Sequence, residues 1–306
     1  MRVLFFGHGA AGLASLDALA RQDAIVGVVA HPVRPERPEH KGANETDETF
    51  AQGAAGAGFP LARLEGGAPA LRRFARDARP DLVWIANYGY LLPQEVLDLA
   101  PLGAVNLHPS LLPAYRGRSS VRWAILRGEH EIGLSAHCVD GGVDSGDLLA
   151  QRRLVLGPRE DVGDALRRLE PLYAELSHDV ALSLRRGQAT RTPQAPGNWP
   201  IWPRFRPEDG RIDWSADCAS VANLVRACAR PFAGAFTWLA GERMTIWRAR
   251  EGTPRGPGSI GSIWRAETGR FFVNCGEGSL EVLSFELEGA RHPRVGDRLD
   301  PLERAA

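Results

Sequence analysis

Short apolar runs alternate with amphipathic helical segments over the first two hundred residues of the chain. Each run is rich in Val, Ile, Leu or Phe and is bounded by Gly, Pro, Asp or His, which is typical of buried parallel strands. The predicted strands are Val3–Phe6, Ala24–Ala30, Asp81–Ala86 and Ala104–Leu107. Between them, apolar residues recur at helical spacing. The predicted helices are Leu13–Arg21, Ala70–Arg79 and Asp161–Arg186. The alternation predicts an α/β domain with an open, mainly parallel sheet.

The pattern changes at a proline-rich stretch. Five prolines lie between residues 191 and 209, and proline at this density prevents regular helix and favours an extended connector. Beyond it, one helical segment over Ala219–Ala229 precedes short apolar runs separated by glycines. Such a pattern is typical of a small β-barrel or sandwich. Its predicted strands are Ala235–Leu239, Met244–Ala249, Ser259–Ile263, Arg270–Asn274 and Leu280–Phe285.

Composition indicates a folded chain without a strong attraction to polyanions. Of 306 residues, 44% are apolar, and Lys plus Arg total 37 against 37 Asp plus Glu. A net charge near zero gives no general attraction to nucleic acid or to an anionic membrane. The four cysteines are widely spaced, which predicts neither a zinc knuckle nor a disulfide framework. Since no apolar run is long enough to span a bilayer, we expect a soluble, cytoplasmic protein without a membrane partner.

A glycine-rich turn follows the first predicted strand. Residues 7–12 read Gly-His-Gly-Ala-Ala-Gly, which fits the G-x-G-x-x-G dinucleotide fingerprint. The fingerprint also requires an acidic residue about 20 positions further on, and the second strand ends instead in Ala-His-Pro at residues 30–32. A nicotinamide cofactor is therefore not expected. The glycines serve either a tight turn or, near Gly9, the binding of a substrate phosphate at the helix N-terminus.

The strongest chemical signal lies in two separated segments. Asn106 and His108 end a predicted strand two positions apart, so their side chains share a face at the sheet edge where α/β folds bind ligands. Asp144 lies in a glycine-rich acidic loop over residues 139–147. Taken singly, each residue has a structural explanation. His108 could be a buried structural histidine, Asn106 a capping or turn residue, and the loop of Asp144 a plain turn. The loop lacks the spacing of a calcium site. Together they indicate an active site.

These segments resemble the folate-dependent formyltransferase family. The family signature is Asn-x-His, Ser-Leu-Leu-Pro, Arg-Gly, and an Asp within Gly-x-Asp-x-Gly-Asp. This sequence has each part, from Asn106 through Arg116-Gly117 to the loop over residues 142–147. The resemblance continues in residues 206–214 and 233–236, which look like the start of the C-terminal domain in longer members.

The resemblance implies a fold, a reaction and a cosubstrate. The fold would be a Rossmann-like catalytic domain over residues 1–190, a proline-rich linker over 191–209 and an OB-like β-barrel domain over 210–306. The chain would transfer a formyl group from N10-formyltetrahydrofolate, without a metal. The implied catalytic residues are Asn106, His108 and Asp144. The implied cofactor-binding residues are Tyr88, Gly89, Tyr90, Leu91, Leu92, Asp140 and Gly142.

An amide such as that of Asn106 can donate to the developing oxyanion. Either His108 or Asp144 can serve as the base, and the sequence leaves this choice open. Arginine suits an acceptor phosphate or carboxylate. The predicted substrate-binding residues are Gly9, Ser110, Arg116, Arg118 and Arg204.

Three acceptor amines fit this class of enzyme. Residues 115–118 and 206–210 resemble formyltransferases that act on nucleotide-linked amino sugars, so we expect a small-molecule acceptor of that kind. N5-hydroxyornithine is an alternative. Methionyl-tRNA, and nucleic acid in general, is disfavoured on charge. Residues 33–49 hold three basic and five acidic side chains, and residues 206–306 hold 14 of each sign.

Two further hypotheses fit the sequence less well. A hydrolase of formyl-folate would not be expected to keep Asn106, so this residue favours transfer. A nucleotide-binding regulatory protein on a Rossmann-like scaffold would not need the three residues together. The role of the C-terminal domain is open among acceptor binding, a homodimer contact and bracing of the first domain.

Overall fold

The computed structural model describes residues 1–32, 41–63, 67–289 and 291–300. By spatial contact the chain divides into two units. The first unit comprises Met1–Gly117, Ile132–Leu154 and Arg167–Ile201. The second comprises Arg118–Glu131, Val155–Leu166 and Trp202–Ala306. Because the units interleave along the chain, the predicted linear boundaries at residues 190 and 209 stay a prediction. The charged side chains of residues 33–47 lie outside the described part of the chain.

Strands and helices alternate through the first two hundred residues. The strands are β1 (Arg2–Gly7), β2 (Ala24–Ala30), β3 (Leu61–Arg63), β4 (Leu82–Ala86), β5 (Ala104–His108), β6 (Arg116–Gly117), β7 (Glu131–Cys138), β8 (Leu148–Val155) and β9 (Ile201–Trp202). The α-helices within the described ranges are α1 (Gly9–Ala20), α2 (Lys41–Gly56), α3 (Gly67–Ala78), α4 (Gln94–Leu97), α5 (Ser120–Leu126), α6 (Val162–Arg185) and α7 (Cys218–Cys228).

A seven-stranded sheet forms the centre of the first unit. Its order is β3-β2-β1-β4-β5-β7-β8. The neighbours from β3 to β5 are parallel, and β7 is antiparallel to β5. The mainly parallel α/β sheet is confirmed, and β4 is buried at every position, as expected for a parallel sheet covered on both faces. Strand β8 was not predicted, because its sequence, Leu-Leu-Ala-Gln-Arg-Arg-Leu-Val, is only partly buried and lacks an apolar run.

The glycine-rich turn after β1 has a steric basis. Gly9 has a φ of 63°, a left-handed conformation that a side chain disfavours. A Cβ atom on Gly12 would lie 3.1 Å from the Phe50 ring, so glycine lets α1 pack closely here. Gly9 thus serves the tight strand-to-helix turn, and Gly12 serves the close packing of the helix that follows.

A six-stranded antiparallel sheet forms the second unit. Its strands are β10 (Ala235–Leu239), β11 (Glu242–Glu251), β12 (Ile263–Glu267), β13 (Arg270–Asn274), β14 (Ser279–Leu287) and β15 (Leu299–Asp300). The order is β12-β13-β14-β11-β10-β15. An antiparallel bridge joins Ser262 to Arg298, and the Leu299 N–H donates to the Gly261 carbonyl at 2.9 Å. These bonds link the last strand to the first, so the sheet closes into a barrel.

The barrel interior is apolar. Trp214, Ile246 and Val282 are almost fully buried there, together with side chains from α7. The predicted strand over Ser259–Ile263 is wrong, because residues 259–261 form a turn and β12 begins at Ile263. Gly261 has a φ of 80°, which ends an extended run before that point.

Among the described residues, no helix has both the length and the apolar character needed to cross a membrane.

Candidate active site

The carboxyl end of β5 carries the predicted amide and imidazole. Asn106 and His108 lie two positions apart in this strand, so both side chains project to one face of the sheet. β4 is parallel with Ile85 beside Asn106, and β7 is antiparallel with His137 beside Asn106. The strand order therefore places side chains from two neighbouring strands around the end of β5.

Asp144 reaches the same point from a loop. Its φ of 48° is left-handed, a conformation that Asp tolerates better than most residues. Asn106 Nδ2 donates to Asp144 Oδ1 at 3.2 Å, and the Gly117 N–H donates to Oδ2 at 2.8 Å. His108 Nδ1 lies 3.5 Å from Oδ2. The structure thus brings the three residues predicted to be catalytic around a single carboxylate.

The bonding of His108 defines its tautomer. Nε2 lies 2.9 Å from the Tyr115 carbonyl oxygen, and because a carbonyl only accepts, Nε2 carries a proton. Burial lowers the pKa of His108 below its ordinary value, and the opposing effect of the Asp144 charge does not cancel this. The imidazole is therefore mainly neutral near pH 7, with the unprotonated Nδ1 facing Asp144.

Asp144 is ionised in this cluster. Burial raises the pKa of Asp144, but the neighbouring His108 and His137 and the Gly117 N–H outweigh it and bring the pKa to about 2. The Gly117 N–H and the Asn106 amide donate to the carboxylate also when His108 is neutral. The site contains a stable buried negative charge.

His137 is a member of the cluster that the sequence analysis did not single out. Its Nδ1 donates to the Cys138 carbonyl at 2.8 Å, which leaves Nε2 to accept from Asn106 Nδ2 at 3.1 Å. Both amide hydrogens of Asn106 are thus directed, one to His137 and one to Asp144. The only sequence signal was a histidine late in a strand-like run, and its pairing with Asn106 depends on β7 being antiparallel.

The segment after β5 is held by two further polar residues. Ser135 Oγ donates to the Ser110 carbonyl at 2.6 Å and accepts from the Leu112 N–H at 3.1 Å. Gln151 Nε2 donates to the Leu112 carbonyl at 3.0 Å. The predicted substrate residue Ser110 donates from its hydroxyl to the Ala114 carbonyl at 2.7 Å. These bonds fix the turn that leads from His108 to Gly117.

The predicted cofactor loop, residues 88–92, follows β4 beside this site. The Gly89 N–H donates to His31 Nε2 at 3.0 Å. The rings of Tyr88 and Tyr90 lie 4.9 and 5.1 Å from the His31 ring, centre to centre. Leu91 is 87% exposed, whereas Leu92 packs against the core of the unit. His31, at the end of β2, was not predicted as a site residue.

The other two predicted cofactor residues shape the Asp144 loop. Asp140 Oδ1 accepts from the Gly142 N–H at 3.0 Å and from Ser145 Oγ at 2.8 Å. These bonds form a turn before and around Asp144. Contact of Asp140 and Gly142 with a cofactor stays a prediction.

The predicted acceptor-binding residues divide between the two units. Gly9, Ser110 and Arg116 belong to the first unit, with Arg116 bonded to Gln194. Arg118 and Arg204 belong to the second unit. Their role in acceptor binding stays a prediction. In the described ranges, no group of three or more His, Cys, Asp or Glu side chains is arranged to hold a metal ion.

Comparison with known proteins agrees with the motif resemblance. The Formyl transferase family model matches residues 1–179, and the Formyl transferase, C-terminal domain model matches residues 204–296. The chain is 33% identical over 298 residues to the methionyl-tRNA formyltransferase of Solibacter usitatus (strain Ellin6076). That alignment covers 97% of this chain and 94% of the relative.

Two solved structures share the fold. One is WlaRD, a sugar 3N-formyl transferase in the presence of dTDP and 5-N-formyl-THF, with a TM-score of 0.64 and 12% identity, covering 94% of this chain and 98% of WlaRD. The other is HypX from Aquifex aeolicus in complex with tetrahydrofolic acid, with a TM-score of 0.63 and 18% identity. The match covers 94% of this chain, which spans 44% of HypX.

The fold and the matched family models define the chain as a one-carbon group transferase. It belongs to the formyl transferase family. It is therefore an enzyme that transfers a formyl group.

The low pKa of Asp144 predicts a pH-dependent contribution to stability. Because folding lowers this pKa from 3.8 to about 2, the contribution is present above about pH 4 and is lost as the pH falls toward 2. Between about pH 4 and pH 2, the unfolding free energy should fall for both wild type and Asp144→Asn. We expect the fall to be about 2 kcal/mol larger for wild type than for Asp144→Asn. Urea unfolding monitored by tryptophan fluorescence measures the difference. Parallel profiles for the two proteins would contradict the assignment.

Proposed function

We propose that the formyl acceptor is the α-amino group of methionyl-tRNA. The observation that carries this proposal is the 33% identity to a methionyl-tRNA formyltransferase over 97% of the chain, which includes both units. The amino-sugar acceptor that the sequence analysis favoured is supported by structural neighbours at 12% identity, and similarity at that level indicates fold alone.

An arginine–aromatic face on the barrel supports an RNA acceptor. Trp238 on β10 pairs with Arg243 on β11, and alternation along the strands puts Phe236 and Trp247 on the same face. The guanidinium of Arg243 lies 4.3 Å from the Phe236 ring centre, and that of Arg230 lies 4.3 Å from the Trp247 ring centre. Phe236 is buried, whereas Trp238 and Trp247 are half-buried, so the tryptophans suit stacking with bases and the arginines suit contact with phosphates. The balanced charge total of residues 206–306 does not describe this local arrangement.

The chemistry we propose starts from a neutral amine of the acceptor. The amine attacks the formyl carbon, and a tetrahedral oxyanion forms before the bond to the folate nitrogen breaks. A carboxylate with a pKa of about 2 is a weak base, whereas a neutral imidazole is a stronger one even when burial lowers its pKa. We therefore assign proton acceptance to His108 Nδ1. Asp144 Oδ2, 3.5 Å away, stabilises the imidazolium that results. As the tetrahedral oxyanion collapses and the bond to the folate nitrogen breaks, the imidazolium gives its proton to that nitrogen, which leaves tetrahydrofolate and a neutral His108.

Asn106 is proposed as the donor to the oxyanion. Its amide nitrogen lies 3.2 Å from Asp144 and 3.1 Å from His137, so its orientation is set before substrate arrives. Exchange of one of these bonds for the oxyanion would stabilise the transition state by about 3–4 kcal/mol, the usual value for one such donor.

The loop over residues 88–92 is proposed to line the folate pocket. His31 accepts the Gly89 N–H, and its ring is in contact with those of Tyr88 and Tyr90. Since Nε2 must be unprotonated to accept, a neutral His31 holds this loop in place.

The proposed role of His108 predicts a severe loss of turnover. His108→Ala should lower kcat by about a hundredfold or more, because general acid–base catalysis contributes 10²–10⁴-fold. Single-turnover formyl transfer and circular dichroism measure rate and fold together. The matched control is His130→Ala at an exposed histidine. Turnover close to wild type in the His108 variant would remove the assignment.

The acceptor proposal predicts a clear preference. With formyl-tetrahydrofolate as donor, kcat/KM for methionyl-tRNA should exceed kcat/KM for UDP- or dTDP-linked amino sugars and for N5-hydroxyornithine. Higher salt should weaken the interaction with methionyl-tRNA, because phosphate contacts release counterions. Formylation of an amino sugar, with none of methionyl-tRNA, would overturn the proposal and leave the folate-dependent activity intact.

The loop contact predicts an effect confined to folate binding. His31→Leu should raise the KM for formyl-tetrahydrofolate roughly fivefold, the equivalent of one lost hydrogen bond of about 1 kcal/mol, with kcat little changed. His31→Gln retains a side-chain acceptor for Gly89 and should lie closer to wild type. Equal KM values for the Leu variant and wild type would argue against this role.

A further inference from the structure

The proline-rich stretch does more than connect two parts of the chain. Its first residues pair with the start of β8: the Leu148 N–H donates to the Thr192 carbonyl at 2.8 Å, and the Thr192 N–H donates to the Leu148 carbonyl at 2.9 Å. This pairing carries the stretch alongside the loop that contains Asp144. Gln194 follows two residues later.

The side chain of Gln194 makes four hydrogen bonds to two segments of the site. Its Nε2 donates to the carbonyl oxygens of Asp144 and Gly146, both at 2.8 Å. Its Oε1 accepts from Arg116 Nε at 3.1 Å and from Arg116 Nη2 at 2.7 Å. Because carbonyls only accept and a guanidinium only donates, this network admits one orientation of the amide.

These bonds complete a ring around Asp144. Arg116 directly precedes Gly117, whose N–H donates to the Asp144 carboxylate. Gln194 therefore holds the backbone of Asp144 directly. Through Arg116 it also holds the segment whose Gly117 N–H binds the Asp144 carboxylate. Asp144 has a left-handed φ of 48°, and such a conformation persists only where its surroundings fix it.

We propose that Gln194 is a positioning residue for formyl transfer, which sets the place of the Asp144 carboxylate relative to His108. The proposal rests on the role in catalysis proposed for Asp144. The two N–H groups of the Gln194 side chain hold the loop that contains Asp144. The bonds from Arg116 to the side-chain oxygen keep this amide in the orientation that the loop requires.

The decisive variant is Gln194→Glu. It keeps an oxygen for Arg116 but replaces the two N–H donors with an oxygen that the carbonyls of Asp144 and Gly146 repel. We expect kcat to fall roughly ten- to a hundredfold, since small misplacements in a site have effects of this size. The KM for formyl-tetrahydrofolate and the melting temperature should stay near wild type. Gln194→Ala should lower kcat to the same extent as Gln194→Glu. The control is Gln188→Glu, at an exposed glutamine after α6, which should leave kcat unchanged.

A double-mutant cycle separates this inference from the proposed mechanism. If Gln194 acts through Asp144, adding Gln194→Glu to Asp144→Asn should slow the enzyme no further than Asp144→Asn alone. A kcat within about twofold of wild type in Gln194→Glu, or additive effects in the cycle, would overturn the role of Gln194. A normal kcat in Asp144→Asn would instead overturn the proposed mechanism. The assay uses whichever acceptor wild type formylates, so an error in the acceptor does not affect it.

Discussion

A buried carboxylate is the group around which this candidate active site is built. Asp144 is mostly shielded from water, and an ionised carboxylate in such a place must be compensated by donors. The Gly117 N–H and the Asn106 amide donate to it, and the rings of His108 and His137 lie 3.5 Å from its oxygens. These donors come from parts of the chain that are far apart in sequence. Holding the charge therefore fixes the relative positions of Asn106, His108 and His137.

The sheet supplies the precision that this arrangement needs. The antiparallel pairing of β7 with β5 puts His137 beside Asn106, and the parallel pairing of β4 places the loop over residues 88–92 at the same edge. Strands buried on both faces cannot shift register without moving apolar side chains into water. Side chains on rigid strands thus meet the loops that carry Asp144 and Gly89, and the loops are tied down by side-chain bonds to backbone.

Some of this could be predicted from sequence and some could not. Asn106 and His108 follow from spacing at a strand end, and Asp144 from a motif, because these signals are local. His137 and Gln194 could not be found in this way. Their partners lie 31 and 50 residues away, and only the strand order and the path of the proline-rich stretch bring them together.

The strand over Ser259–Ile263 was misplaced for a local reason, since a glycine with positive φ interrupts the run before the strand begins. The acceptor expected from the sequence differs from the one proposed here, because a charge total for each segment does not describe how arginines and aromatic rings share one face.

The closure of the barrel has a consequence for where this chain can be shortened. The C-terminal family model ends at residue 296, but the bonds that join the two edges of the sheet involve Arg298 and Leu299. A fragment trimmed to the matched residues would leave β10 and β12 with unpaired backbone groups, and such open edges favour intermolecular strand pairing. Residues 297–300 thus keep both edges of this sheet paired within the chain.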